Sequence, residues 1–105
     1  MTRAELIRQV LENLRVVDAI SEPAAEDSTR VGRRVDQERA RLTEIGLCWW
    51  DAETIPDAVA GPLSDLVAER SANIFGKQYA APMAQKEIAA LKSSETRDAV
   101  RTDYF

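Results

Sequence analysis

The sequence predicts an all-α fold: a small bundle of about four helices with a long second helix and an extended C-terminal tail. Three observations carry this. Large apolar residues recur at three- and four-residue steps in separate stretches, the period of a helix face. Pro23, Gly46, Pro56, Gly76 and Pro82 fall between those stretches, where helices start and stop. Ala supplies 16 of the 47 apolar residues and aromatics only 6, which suits slender helices packed closely or a core completed by neighbours. A chain of 105 residues is one domain, and folding buries roughly 65% of its surface.

Thr2-Arg3-Ala4-Glu5 has capping-box spacing. Leu6, Ile7, Val10, Leu11, Leu14 and Val17 then form one apolar face, predicting helix one over about residues 3–18. Pro23 suits the first turn of helix two, capped by Ser21 or Glu22. Its seam of Ala24, Ser28, Val31, Val35, Glu38, Leu42 and Ile45 runs to Gly46 in heptad-like steps. A helix over 23–45 is ~34 Å long, more than one small globule covers, so part of it is expected to project or to pack on another chain.

Trp49 and Trp50 are adjacent on an extended segment, so one indole enters the core while the other faces outward or a neighbour. Helix three is expected over about 56–75. Either it starts near Pro62 after a separate turn, or one helix bends at Gly61-Pro62. Ala80-Ala81-Pro82 opens helix four, whose buried edge is Met83 or Ala84, with Ile88 and Leu91. Its period fades near Ser93. The helical domain therefore spans residues 1–93 and an extended docking tail spans 94–105, ending in Tyr104-Phe105.

Composition restricts chemistry. There is no His, hence no imidazole ligand or His-based dyad. A lone Cys48 forms neither an internal disulfide nor a thiolate zinc site. Arg3, Glu5 and Arg8 interrupt any signal-peptide core, and no apolar run is long enough to span a membrane. Gly76-Lys77 lacks the upstream glycine of a phosphate loop. Glu26-Asp27, Asp36 with Glu38, and Glu44 read as solvated faces rather than an acid–base pair. The expectation is no enzyme, no cofactor and no metal.

The arginines of helix two carry more information. Arg30, Arg33, Arg34, Arg39 and Arg41 stand against Asp36 and Glu38 within residues 30–41, without a lysine. One reading is a solvated face with helical ion pairs from Asp36 to Arg33 and from Glu38 to Arg34 and Arg41. The other is a surface for phosphate or an acidic partner. The net charge of −4 disfavours a protein basic all over, not a local basic face.

The order of these features resembles the head-to-tail adaptor (connector) proteins of tailed bacteriophages and gene transfer particles, including the tail accessory factor of short-tailed phages. The likeness runs through Ala4-Glu5-Leu6-Ile7 with Leu11 and Leu14, the long helix ending near Gly46, and Trp49-Trp50 before Ile55-Pro56-Asp57-Ala58. It continues with Leu63 to Ala68, Ile74-Phe75-Gly76, Ala80-Ala81-Pro82, and a last helix holding Ala84, Ala89 and Leu91. It covers nearly the whole chain. Gly61-Pro62 and the basic helix two depart from the family pattern.

The resemblance implies a virion protein made in the bacterial host cytoplasm. Its copies, commonly twelve, form a homo-oligomeric ring under the portal protein, extend the DNA channel with nonspecific DNA contact, and meet a downstream tail or stopper protein. Arg97, Arg101, Tyr104 and Phe105 correspond to the tail that reaches the portal or a neighbour. Arg30, Arg33, Arg34, Trp49 and Trp50 correspond to the subunit or channel face. The alternative expectation is a small DNA-binding regulator or packaging accessory using basic helix two.

Overall fold

The computed structural model describes the backbone of residues 1–104 and the side chains of residues 1–94. The chain forms α1 (Arg3–Asn13), α2 (Ala25–Glu44), α3 (Asp57–Ser71), a 3-10 turn (Ala72–Phe75) and α4 (Ala84–Tyr104). An all-α bundle of four helices is what the periodicity predicts, and α3 is the helix that touches the other three. Val59, Ala60, Leu63, Ser64, Leu66, Val67, Ala68 and Ser71 are all buried, so α3 is enclosed around most of its circumference. Leu6, Ile7, Val10 and Leu11 from α1, Val31, Val35 and Leu42 from α2, and Ile88 from α4 join the core, with Leu14, Trp50 and Ile55 from the segments between helices.

The capping box forms as the spacing predicts. The Thr2 hydroxyl accepts from the Glu5 amide at 3.1 Å, and the Glu5 carboxylate accepts from the Thr2 amide at 3.1 Å. These bonds hold the Glu5 carboxyl below its usual range. Helix one is shorter than its apolar face suggests. Arg15 adopts a left-handed φ of 59°, and the Val16 amide reaches back to the Leu11 carbonyl at 2.9 Å, closing the helix as a Schellman turn that more often uses glycine. Gly46 (φ 80°) and Gly76 (φ 64°) close α2 and the 3-10 turn the same way, as predicted.

Helix two starts later than predicted, at Ala25, and its cap residue Ala24 contributes no side-chain bond. Pro23 stands outside the helix, and neither Ser21 nor Glu22 caps it. Local bonds hold the preceding segment. Asp18 Oδ1 accepts from the Ile20 and Ser21 amides at 3.1 and 2.7 Å, and Arg8 Nη2 donates to the Ala19 and Ser21 carbonyls, each at 2.9 Å. The helix-two seam is buried only in its middle, from Val31 to Leu42; Ala24 is exposed and Ile45 is 48% exposed.

Helix three contains Gly61-Pro62 within one element, starting at Asp57 rather than near Pro62. Pro62 leaves the Ala58 carbonyl without its usual helical donor, early in the helix where little of the ladder is disturbed. Residues 72–75 of the expected helix tighten into the 3-10 turn. In α4 it is Ala84, 4% exposed, that joins Ile88 at the buried edge, while Met83 is 54% exposed. The backbone of 94–104 is helical and not extended as predicted, since α4 continues through Tyr104. No glycine or proline lies between Ala84 and Tyr104, so nothing in the backbone chemistry ends the helix when its apolar period fades.

Candidate functional site

The five clustered arginines of α2 serve two different purposes. Arg39 Nη2 donates to the Trp50 carbonyl at 2.9 Å, which ties the tryptophan segment to the helix. Arg41 bonds the Glu38 carboxylate and, through Nη2, Gln85 Oε1 at 2.8 Å, linking α2 to α4. Arg70 from α3 approaches the other Glu38 oxygen at 3.4 Å. Glu38, 5% exposed, is therefore ion-paired within α2 and to α3, and its partner Arg41 extends the network to α4 by a hydrogen bond. It pairs with Arg70 and Arg41; the pairing with Arg34 predicted from spacing does not form.

Arg30, Arg33 and Arg34 face elsewhere. Together with Gln37 and with Ile74 from the 3-10 turn they line a hollow of about 230 Å³. Positions 30, 33, 34 and 37 share one helical face, a signal available in the sequence; the approach of Ile74 is not. Arg30 pairs with Glu26 at 2.6 Å, and Arg34 Nη1 makes only a 3.4 Å bond to Gln37 Oε1. Among the described residues no carboxylate pairs with Arg33 or Arg34. The expected Asp36–Arg33 pair is replaced by Asp36–Arg3, where the guanidinium contacts both carboxylate oxygens at 3.1 and 3.0 Å. That bidentate pair raises the pKa of Arg3.

The tryptophans form the second surface. Their rings meet edge to face, with centroids 5.0 Å apart and planes at 87°. Trp50 is 6% exposed and belongs to the core, whereas Trp49 is half-buried and lines a groove. This resolves the choice left open by adjacency. The groove, about 660 Å³, runs past Asp51, Pro56 and Ala58 to Leu91 and Ser94 on α4. Asp51 Oδ1 accepts from the Glu53 and Thr54 amides at 2.9 and 2.7 Å. Those bonds hold its carboxyl below the usual range; Asp57, also exposed, lies outside the groove lining and pairs with the Met1 ammonium at 3.4 Å.

The hollow and the groove share no lining residue and sit at opposite ends of α3. Ala58 lies in its first turn and Ile74 beyond its last; Ala58 to Ser71 alone is ~20 Å of helix axis. The structure thus brings Arg30, Arg33 and Arg34 together and Trp49 with Trp50, but keeps the two sets apart. Arg97, Arg101, Tyr104 and Phe105 lie outside the described side chains.

The other candidates are occupied structurally. Glu26, Asp36 and Glu38 are ion-paired. Cys48 is half-buried with its thiol 3.4 Å from the Trp50 carbonyl. Among the described residues no three His, Cys, Asp or Glu side chains gather as metal ligands, and no helix is long and apolar enough to cross a membrane. Comparison of the chain with protein-family models, with curated proteins and with solved structures finds no match.

Proposed function

We propose that this chain is a structural, non-enzymatic virion subunit, an adaptor that assembles as a ring between portal and tail and lengthens the DNA channel. The observation that supports this reading is the placement of two chemically different surfaces at the two ends of α3. A subunit with a different patch at each end associates by heterologous contact, which closes into a ring when the rotation closes. Such a subunit gains stability from its neighbours by mass action. The ring, expected at twelve copies, would meet the portal protein on one side and a tail or stopper protein on the other.

The Arg30–Arg33–Arg34 hollow also favours a second reading, contact with DNA phosphate as a small regulator or packaging accessory. Three phosphate contacts give a salt slope of only about −2.7 in log–log terms, against the six to ten contacts typical of strong binders. One copy is thus a weak DNA ligand, and a ring multiplies the contact around a channel. The test is co-sedimentation with the portal ring from the same genome. The full chain is expected to bind, and deletion of residues 94–105 to abolish binding while helical circular dichroism persists. Equal binding by the truncated chain would refute the assignment of residues 94–105 to portal attachment.

A further inference from the structure

The loop between α1 and α2 holds the most exposed large apolar side chain among the described residues: Ile20, at 92%. Fraying does not explain that exposure, because the backbone around it is clamped. Asp18 Oδ1 accepts from the Ile20 and Ser21 amides, and Arg8 Nη2 donates to the Ala19 and Ser21 carbonyls. An aliphatic side chain held out in water forgoes the gain of burial until a partner covers it, and a loop already fixed loses little further freedom when that happens. Residues 16–29 contain Asp18, Glu22, Glu26 and Asp27 and no basic residue. Asp18 and Glu22, on either side of Ile20, are exposed, and neither is ion-paired among the described residues. Of the cations nearby, Arg8 is taken up by Glu12 and the loop carbonyls. Arg15 lies on the Asp18 side, which leaves Glu22 without a cation.

The arginine hollow has the opposite character. Half-buried Ile74 lines it beside Arg33 and Arg34, which have no carboxylate partner among the described residues. We propose that the hollow of one copy receives the 18–22 loop of the next copy, with Ile20 against Ile74 and with Glu22 and Asp18 facing Arg33 and Arg34. Apolar groups then meet at the centre and opposite charges at the rim, the anatomy of a specific contact. A nucleic acid would pair with the arginines and have no use for Ile20; a second copy of this chain accounts for the exposed isoleucine and the unpaired arginines together. Loop and hollow are different patches, so the contact is heterologous and repeats from copy to copy. It rests on the head-to-tail assembly proposed above, of which it names the subunit contact, and it leaves the Trp49 groove at the other end of α3 for a different component.

The experiment uses variants of the full chain. Ile20→Lys removes the apolar tip of the loop and sets a cation before the hollow, whereas Ile20→Leu keeps the tip. Arg33→Ser/Arg34→Ser discharges the hollow without reversing it. Circular dichroism and tryptophan emission verify that all three fold. In sedimentation velocity at low salt the wild-type chain and Ile20→Leu are expected to grow beyond a dimer with concentration, and to do so less as salt rises. Ile20→Lys and the double serine variant, each alone, are expected to associate at least about thirtyfold more weakly, the loss that marks a central contact residue. A 1:1 mixture of these two offers one intact loop and one intact hollow. The altered loop finds only a discharged hollow, so the mixture should stop at a heterodimer.

Ile20→Lys that associates as the wild type does, or a mixture that stays monomeric while the wild type assembles, would overturn the contact. So would a wild-type chain that is monomeric at every concentration in solution. A wild-type chain that stops at a dimer would overturn the head-to-tail repetition. If both variants still form a ring on the portal, this contact is wrong and the adaptor reading stands. If the wild-type chain assembles through this contact but adds nothing to the portal, the contact stands and the adaptor reading falls.

Discussion

Replacing Arg41 and Arg70 together by methionine strips both cations from Glu38 and leaves a carboxylate that is 5% exposed in the native chain. Breaking a buried ion pair from one side typically costs about 3–5 kcal/mol. The lower end applies here, about 3 kcal/mol, because the arginine side chains are 35% and 49% exposed and water already reaches the edge of the cluster. The converse change, Glu38→Met, leaves two arginines that can swing into solvent, so its cost is about 1 kcal/mol or less. A domain of this size holds only about 5–15 kcal/mol in total, and each kcal/mol moves Tm by roughly 4–8 °C. The double variant should therefore melt ~12–24 °C lower and Glu38→Met only a few degrees lower. The triple variant should recover most of the difference. Urea unfolding followed by tryptophan emission and by far-ultraviolet circular dichroism reads all three. A Glu38→Met loss larger than that of the double arginine variant would show that the carboxylate is not the desolvated partner.

Three further outcomes follow from local geometry. Tyr79, bonded to Asp65 at 2.7 Å, has its phenol pushed up to about 12 by burial and then by that bond. Its contribution to stability is full below the unfolded value near 10 and is lost as pH rises through 12; a phenolate absorbance titration should lose its highest step in Tyr79→Phe. Asp51 behaves oppositely, since its folded pKa lies below the ordinary 3.8: its contribution is present above that value and is lost as pH falls through the folded one. Asp51→Asn keeps an acceptor for the two amides and should flatten the acid dependence of Trp49 emission, and an unchanged profile would refute this. Gly32→Ala gains about 1 kcal/mol of helix propensity but places its Cβ 2.9 Å from Arg3 Nη2. It should be near neutral in the wild-type chain and stabilising by about 1 kcal/mol in an Arg3→Ala background, as unfolding in both backgrounds would show.

Local signals in the sequence carried the helices and most of their ends. The α1 face, the Thr2–Glu5 capping box and the stops at Gly46 and Gly76 each depend on residues within one or two turns of each other. The misjudged boundaries depend on partners farther away or on missing punctuation. Arg8 holds the carbonyls of Ala19 and Ser21, a bond that spacing does not reveal, and α4 runs on past Ser93 because nothing stops it. Glu38 looks like a defect in the α2 seam until Arg70 arrives from α3. Likewise Asp65 serves as a polar hub only once Asn13 and Tyr79 converge on it, at 3.3 and 2.7 Å. Of the two surfaces, the arginine face was legible as the spacing 30, 33, 34, 37, whereas the groove needed Leu91 and Ser94 from the far end of the chain. The proposed function has only a resemblance of feature order behind it in the sequence.

The most direct measurement is electron microscopy of the portal ring from the same genome incubated with this chain. An adaptor should add a ring of copies, expected at twelve, at the narrow end of the portal and coaxial with its channel. A bare portal, together with salt-sensitive binding of the isolated chain to DNA through Arg33 and Arg34, would contradict it and favour the DNA-binding reading.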